Sequence, residues 1–172
     1  MTRFSFICLS LFFALFLFSC DRTEHEQGDW NTIAELHGYN QEKITIQQGF
    51  AGTLIMKEGN CMPMVGLNPS DNGCRSYPVK RTIRIYEYTT ADDVEGYGPF
   101  FTAVNTLLRQ RITTDHEGFF QVKLSPGTYS VFIEEDNKLY ANSWDGQGGI
   151  RPVTVTKGQL GYEQLTIDYA VY

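Results

Sequence analysis

Two closely spaced turn signals, each followed by alternating apolar and polar residues, constrain this chain more than any other feature. Asp115-His116-Glu117-Gly118 puts a glycine where positive φ is wanted. Ser125-Pro126-Gly127-Thr128 joins a proline that presets φ to a glycine that accepts the left-handed position. Between them Phe120, Val122 and Leu124 alternate with Phe119, Gln121 and Lys123, and after them Tyr129, Val131 and Ile133 alternate with Ser130, Phe132 and Glu134. A period of two marks a half-buried strand in each case. With an extended run over 107–114 ahead of the first turn, the pattern predicts two hairpins in direct succession, an antiparallel meander.

Further strand-length runs lie at 49–56, 79–88, 139–144, 151–156 and 163–169, and only about 100–108 carries a helical period. About seven or eight short strands separated by turns predict an all-β antiparallel sandwich over residues 43–172. That length suits one domain with a core of its own.

The N-terminus is of another kind. Arg3 precedes an apolar run over 4–18 interrupted only by Ser5 and Ser10, too short for a membrane span of about 20 residues and suited to a signal peptide over 1–19. The run ends in Leu17-Phe18-Ser19-Cys20, which resembles the bacterial lipobox. The resemblance implies that Cys20 becomes the first mature residue and carries lipid. An ordinary cleaved signal with an incidental cysteine is the competing reading. Two or three acyl chains, at about 0.8 kcal/mol per buried CH₂, anchor a protein firmly. The expected location is the cell envelope, on the outer membrane, with the domain extracytoplasmic. Residues 20–42 are polar, with Glu24, Glu26 and Asp29, and read as a flexible tether in which Trp30, Ile33 and Leu36 form at most one helical turn.

The net charge is −6, and loss of Arg3 with the leader leaves 13 basic against 20 acidic residues. An acidic domain repels phosphate backbones, so nucleic acid is not an expected partner.

Thr114-Asp115-x-x-Gly118-x-Phe120, a short strand, and then Leu124-x-Pro126-Gly127-x-Tyr129 resemble the carboxypeptidase regulatory-like domain. Gly52-Thr53-Leu54 is similar to that family's opening strand, and 142–146 to a lipoprotein subgroup of it. The resemblance covers about residues 47–172. It implies a prealbumin-like (transthyretin-like) sandwich that serves as an accessory or interaction module, with no catalytic residues and no cofactor. Some relatives with similar folds bind starch. The stretch from Thr89 to Asn105 is longer than an ordinary hairpin loop.

Cys61 and Cys74 share a short Pro/Gly-rich segment, and after export the pair reads as a disulfide, with free thiols or a metal site as alternatives. Closing such a loop stabilises by about 3 kcal/mol in the chain-entropy model. No His-Glu-x-x-His or Gly-x-Ser-x-Gly motif is present, and His116 reads as a solvated turn residue. Acidic clusters around Asp92, Glu134 and Asp145 lack the calcium-loop pattern, so no metal is expected. The aromatics Tyr97, Phe100 and Phe101 of the long insertion, with Tyr140 and Trp144 beside a glycine-rich loop, are the candidate binding residues. Flat rings stack on sugar faces or fill protein pockets, so the expected partner besides the membrane is a protein or a glycan. The competing reading has these rings cap the open end of the sandwich.

Overall fold

The computed structural model describes residues 32–63, 65–66 and 73–172, so the leader and Cys20 lie outside the described residues. It is a β-sandwich of a four-stranded and a seven-stranded sheet. The elements in chain order are α1 (Ile33–Glu42), β1 (Gly49–Asn60), β2 (Arg75–Pro78), β3 (Thr82–Glu87), β4 (Val94–Tyr97), β5 (Phe100–Val104) and β6 (Leu108–Thr113). They continue as β7 (Phe119–Val122), β8 (Gly127–Glu135), β9 (Lys138–Tyr140), β10 (Pro152–Val155) and β11 (Leu160–Val171).

In the smaller sheet β1 is central. One edge runs parallel to β11 from Gly49↔Leu160 to Asn60↔Val171, and the other pairs antiparallel with β7 and then β2. The larger sheet runs β4-β5-β9-β8-β3-β6, with β10 sharing the edge of β8 that β9 leaves free. Between the sheets lies the main core, including Phe50, Leu54, Ile83, Val131, Leu165 and Ile167. The predicted inward sets Phe120, Val122, Leu124 and Tyr129, Val131, Ile133 all lie in it. A disulfide joins Cys61 to Cys74 with an S–S distance of 2.04 Å, tying the end of β1 to the start of β2.

Three expectations are corrected. The predicted meander does not form: β6 pairs with β3, β7 with β1, and β8 with β3. Both turns therefore carry the chain across the sandwich instead of closing hairpins. The first is bolted to the β2–β3 connection and to β1, since Thr114 Oγ1 donates to the Val79 carbonyl (2.8 Å) and Leu54 N–H donates to the Gly118 carbonyl (2.8 Å). Gly118 has φ +69°, and a Cβ there would stand 2.2 Å from the Leu54 carbonyl oxygen. The helical period near 100–108 gives strands instead, because Phe100 and Phe101 are claimed by opposite faces of the larger sheet.

The third correction concerns the tether. Its last ten residues are the helix α1, capped when Thr32 Oγ1 accepts from Glu35 N–H (3.1 Å) and Glu35 Oε2 accepts from Thr32 N–H (3.0 Å). Leu36 and Asn40, one turn apart, are fully buried. Asn40 Nδ2 donates to Thr53 Oγ1 on β1 and to the Glu117 carbonyl, and Lys43 pairs with Asp115 at 2.9 Å. The described fold thus includes the helix from its cap at Thr32, eleven residues ahead of position 43.

Candidate functional site

The long insertion is a β-hairpin. Strand β5 joins the sheet through Phe100↔Tyr140 and Phe101↔Leu139, and β4 pairs outside it. Alternation then sends its two phenylalanines to different cores. Phe100 faces the inter-sheet space, with ring centroids 5.2 Å from Tyr140 and 6.1 Å from Tyr169. Phe101 joins Tyr86, Phe132, Leu139, Ala141 and Ile150 in a second, smaller core on the outer face of the larger sheet. This explains why Ser130 and Phe132, predicted to face solvent, are fully buried.

The five candidate aromatics divide accordingly. Phe101 is 1% exposed and Tyr140 1% exposed, so both rings are occupied with packing. Tyr140 also accepts from Asp168 N–H at 2.9 Å, and burial pushes its phenol up from the ordinary value. Phe100 is half-buried. Tyr97 at the hairpin tip is 92% exposed, and Trp144 on the opposing loop is 49% exposed. The indole leans against the tip: a Cβ at Gly98 would stand 3.5 Å from Trp144 Cζ2 and 3.4 Å from Phe101 Cζ. Gly98, Pro99, Ala141, Asn142 and Trp144 line a recess of about 410 Å³.

The loop that presents Trp144 is built by one carboxylate. Asp145 accepts from Tyr88 Oη–H (2.6 Å), Gln147 N–H (2.7 Å) and Gly149 N–H (2.9 Å). The Tyr88 hydroxyl first, then the backbone donors, hold its carboxyl below the usual range. The reading of this segment as a tight glycine-rich turn agrees with that geometry, and the carboxylate is occupied with the loop's own donors. Among the described residues no group of three or more His, Cys, Asp or Glu side chains is placed to hold a metal ion.

Sequence reasoning missed the polar half of this surface. Asn142 Oδ1 accepts from Arg151 Nη1–H at 3.0 Å. Arg151 has φ +38°, a strained value for a side-chain-bearing residue, held by its N–H on the Ser143 carbonyl (2.8 Å) and its carbonyl on Val131 N–H (3.1 Å). Its Nε is buried without a partner, and burial lowers the guanidinium pKa. Nothing in the local sequence around Ile150-Arg151-Pro152 announces this.

A larger cleft of about 570 Å³ lies between β5 and the β8–β9 turn, bordered by Arg84, Thr102, Val104, Glu134 and Lys138. Its central charges are already engaged, because Glu134 takes both Arg84 and Arg111. Burial pushes the Glu134 carboxyl up, but the two guanidinium hydrogen bonds outweigh it and hold the group below its ordinary value. The two histidines among the described residues, His37 and His116, line neither hollow. His37 Nε2 shares a hydrogen bond with Gln164 Oε1 (2.7 Å), and His116 sits exposed in the turn before β7. The exposed hairpin tip with its Trp144 recess is the candidate site, and in the comparisons with known proteins no family model, no curated protein and no solved structure matches this chain.

Proposed function

We propose that this protein is a non-catalytic accessory module, held to the outer membrane through lipid on Cys20, that presents the β4–β5 tip and the Trp144 recess to a partner. One observation carries the reading: Tyr97 is 92% exposed on a hairpin whose Phe101, four residues on, is 1% exposed in the second core. A large ring standing in water on an anchored element costs hydration and serves no packing, which is the arrangement of a contact residue. The carboxypeptidase regulatory-like resemblance belongs to the same proposal. It is supported by the work its motif residues do here. Asp115 Oδ1 accepts from Phe119 N–H (2.8 Å), Gly118 meets β1, and Tyr129 Oη donates to the Ser125 carbonyl (2.9 Å).

A second reading, glycan binding, is favoured by Trp144, a half-exposed indole beside a recess with the exposed side chain of Asn142. A flat apolar ring with a hydrogen-bonding neighbour suits a sugar face.

Affinity capture from native envelope extract with the full chain tests the main reading, comparing wild type, Cys20→Ala, and the Tyr97→Ser/Trp144→Ala double variant. Cys20→Ala is expected in the soluble fraction. The double variant is expected to stay folded in the membrane fraction and to lose the partner that wild type enriches. Retention of that partner by a folded double variant overturns the surface assignment, and membrane retention of a normally processed Cys20→Ala overturns the anchor.

A further inference from the structure

We infer that the Trp144 recess recognises an acidic sugar, a pyranose bearing a carboxylate, with Arg151 as the group that holds the carboxylate. This rests on the glycan reading above and adds the charge of the ligand.

The argument begins with arginine pairing. Six arginines fall among the described residues. Arg75 pairs with Glu58, Arg81 with Glu135, Arg84 and Arg111 with Glu134, and Arg109 with Glu87. Arg151 alone among them has no carboxylate within ion-pair distance, and Glu163 acts on it only through space. It is also the one placed at positive φ, and its Nε lies buried without a partner. A desolvated guanidinium is costly unless paired, and its planar fork matches a carboxylate in two parallel hydrogen bonds. The domain has supplied such a partner to every other described arginine, and has left this one joined to a recess-lining residue, Asn142.

Asn142 connects the cation to the recess. Its residue lines the hollow, and its single Oδ1 occupies one of the guanidinium donors at 3.0 Å. An incoming carboxylate offers two charged oxygens where Asn142 offers one neutral one. Asn142 is exposed, so its amide is free to swing aside and donate to the ligand's hydroxyls. Trp144 supplies the flat face for the ring itself. The acids nearby do not fill the same role: Asp145 is engaged by Tyr88, Gln147 and Gly149, and Glu163 stands on the exposed part of β11. Since the chain is −6 overall, an anion gains nothing from the long-range field, and selection for it must come from this short-range contact.

Calorimetric titration of the full lipidated chain in neutral detergent tests the inference, with oligogalacturonate and its methyl ester as probes. The ester keeps the ring and removes the charge. Wild type is expected to bind the acid at least tenfold more tightly than the ester. Arg151→Met is expected to bind both forms alike, and Trp144→Ala to lose both. Asn142→Asp, an exposed change that leaves Arg151 in place, is expected to lose the acid preference by supplying an internal carboxylate, so the inference stays testable should Arg151→Met fold poorly. Equal affinity of wild type for acid and ester, or an unchanged preference in Asn142→Asp, overturns the role of Arg151 while leaving the glycan reading standing. Binding of neither probe overturns the acidic-sugar inference, and the partner-capture experiment then decides the surface assignment by itself.

Discussion

Phe101→Ala is the perturbation that most directly tests whether the long insertion belongs to the fold. The ring is 1% exposed, with ring centroids 5.8 Å from Phe132 and 6.4 Å from Trp144. Removing a buried phenylalanine costs about 3–5 kcal/mol, the range including the lost contacts and the cavity left behind. Where that cost falls depends on topology. Among the described strands β4 pairs only with β5, and β5 meets the rest of the sheet at two residue pairs, so strand pairing anchors the hairpin lightly. The second core is moreover separate from the inter-sheet core. The loss is therefore expected as local opening of the hairpin, at a tenfold change per about 1.4 kcal/mol. Amide hydrogen exchange should accelerate roughly a hundred- to a few-thousand-fold across β4 and β5, with amides of β1 and β11 changing by less than tenfold. Unchanged exchange in the hairpin would refute the packing argument. Equal acceleration in both regions would show that the two cores open as one unit.

Gly118→Ala is expected to destabilise by about 1–3 kcal/mol and lower the melting temperature by several degrees, since φ is +69° and the new Cβ would stand 2.2 Å from the Leu54 carbonyl oxygen. Gly146→Ala is the control, at φ +78° with nothing within 4 Å, and melting the two alike would show that the contact with Leu54 adds nothing. The Trp144 loop should also respond to acid. The folded Asp145 carboxyl is held below its ordinary 3.8, so its contribution is complete above that value and is lost as pH falls through the depressed one. In a Trp30→Phe background, Trp144 emission should shift only below pH 3.8, and Asp145→Asn should abolish the transition. A midpoint at or above 3.8 in the parent would contradict the assigned hydrogen bonds.

Much of the architecture was legible because it is local. Alternation in 119–124 and 129–134 identified two strands and their inward faces, and Asp115-x-x-Gly118 and Pro126-Gly127 located the turns. The spacing of Cys61 and Cys74 in one loop identified the disulfide. The helix α1 was also written locally, in Thr32-Ile33-Ala34-Glu35, a capping box, but the polar composition around it pointed to a tether. Its docking rests on polar contacts from Asn40 and Lys43 rather than on an apolar stripe, so hydrophobic periodicity carries little trace of it.

What the chain determined by itself was which residues turn, which face inward and which cysteines meet, since each is set within a few residues. Tertiary structure alone decided which strands pair. A strand with one buried face fits either sheet of a sandwich, and the same turn chemistry serves a hairpin or a crossover, so β6, β7 and β8 read as neighbours although each next strand lies in the other sheet. The parallel union of β1 with β11, 111 residues apart at Gly49↔Leu160, is likewise a matter of global closure. So is the site. Phe101 and Tyr97 are both aromatic residues on one hairpin, and only the outer face of β8 beneath it buries one and leaves the other in water. Arg151 differs from the other described arginines because no carboxylate stands within ion-pair distance of it, a property of the surroundings that no short stretch of sequence contains.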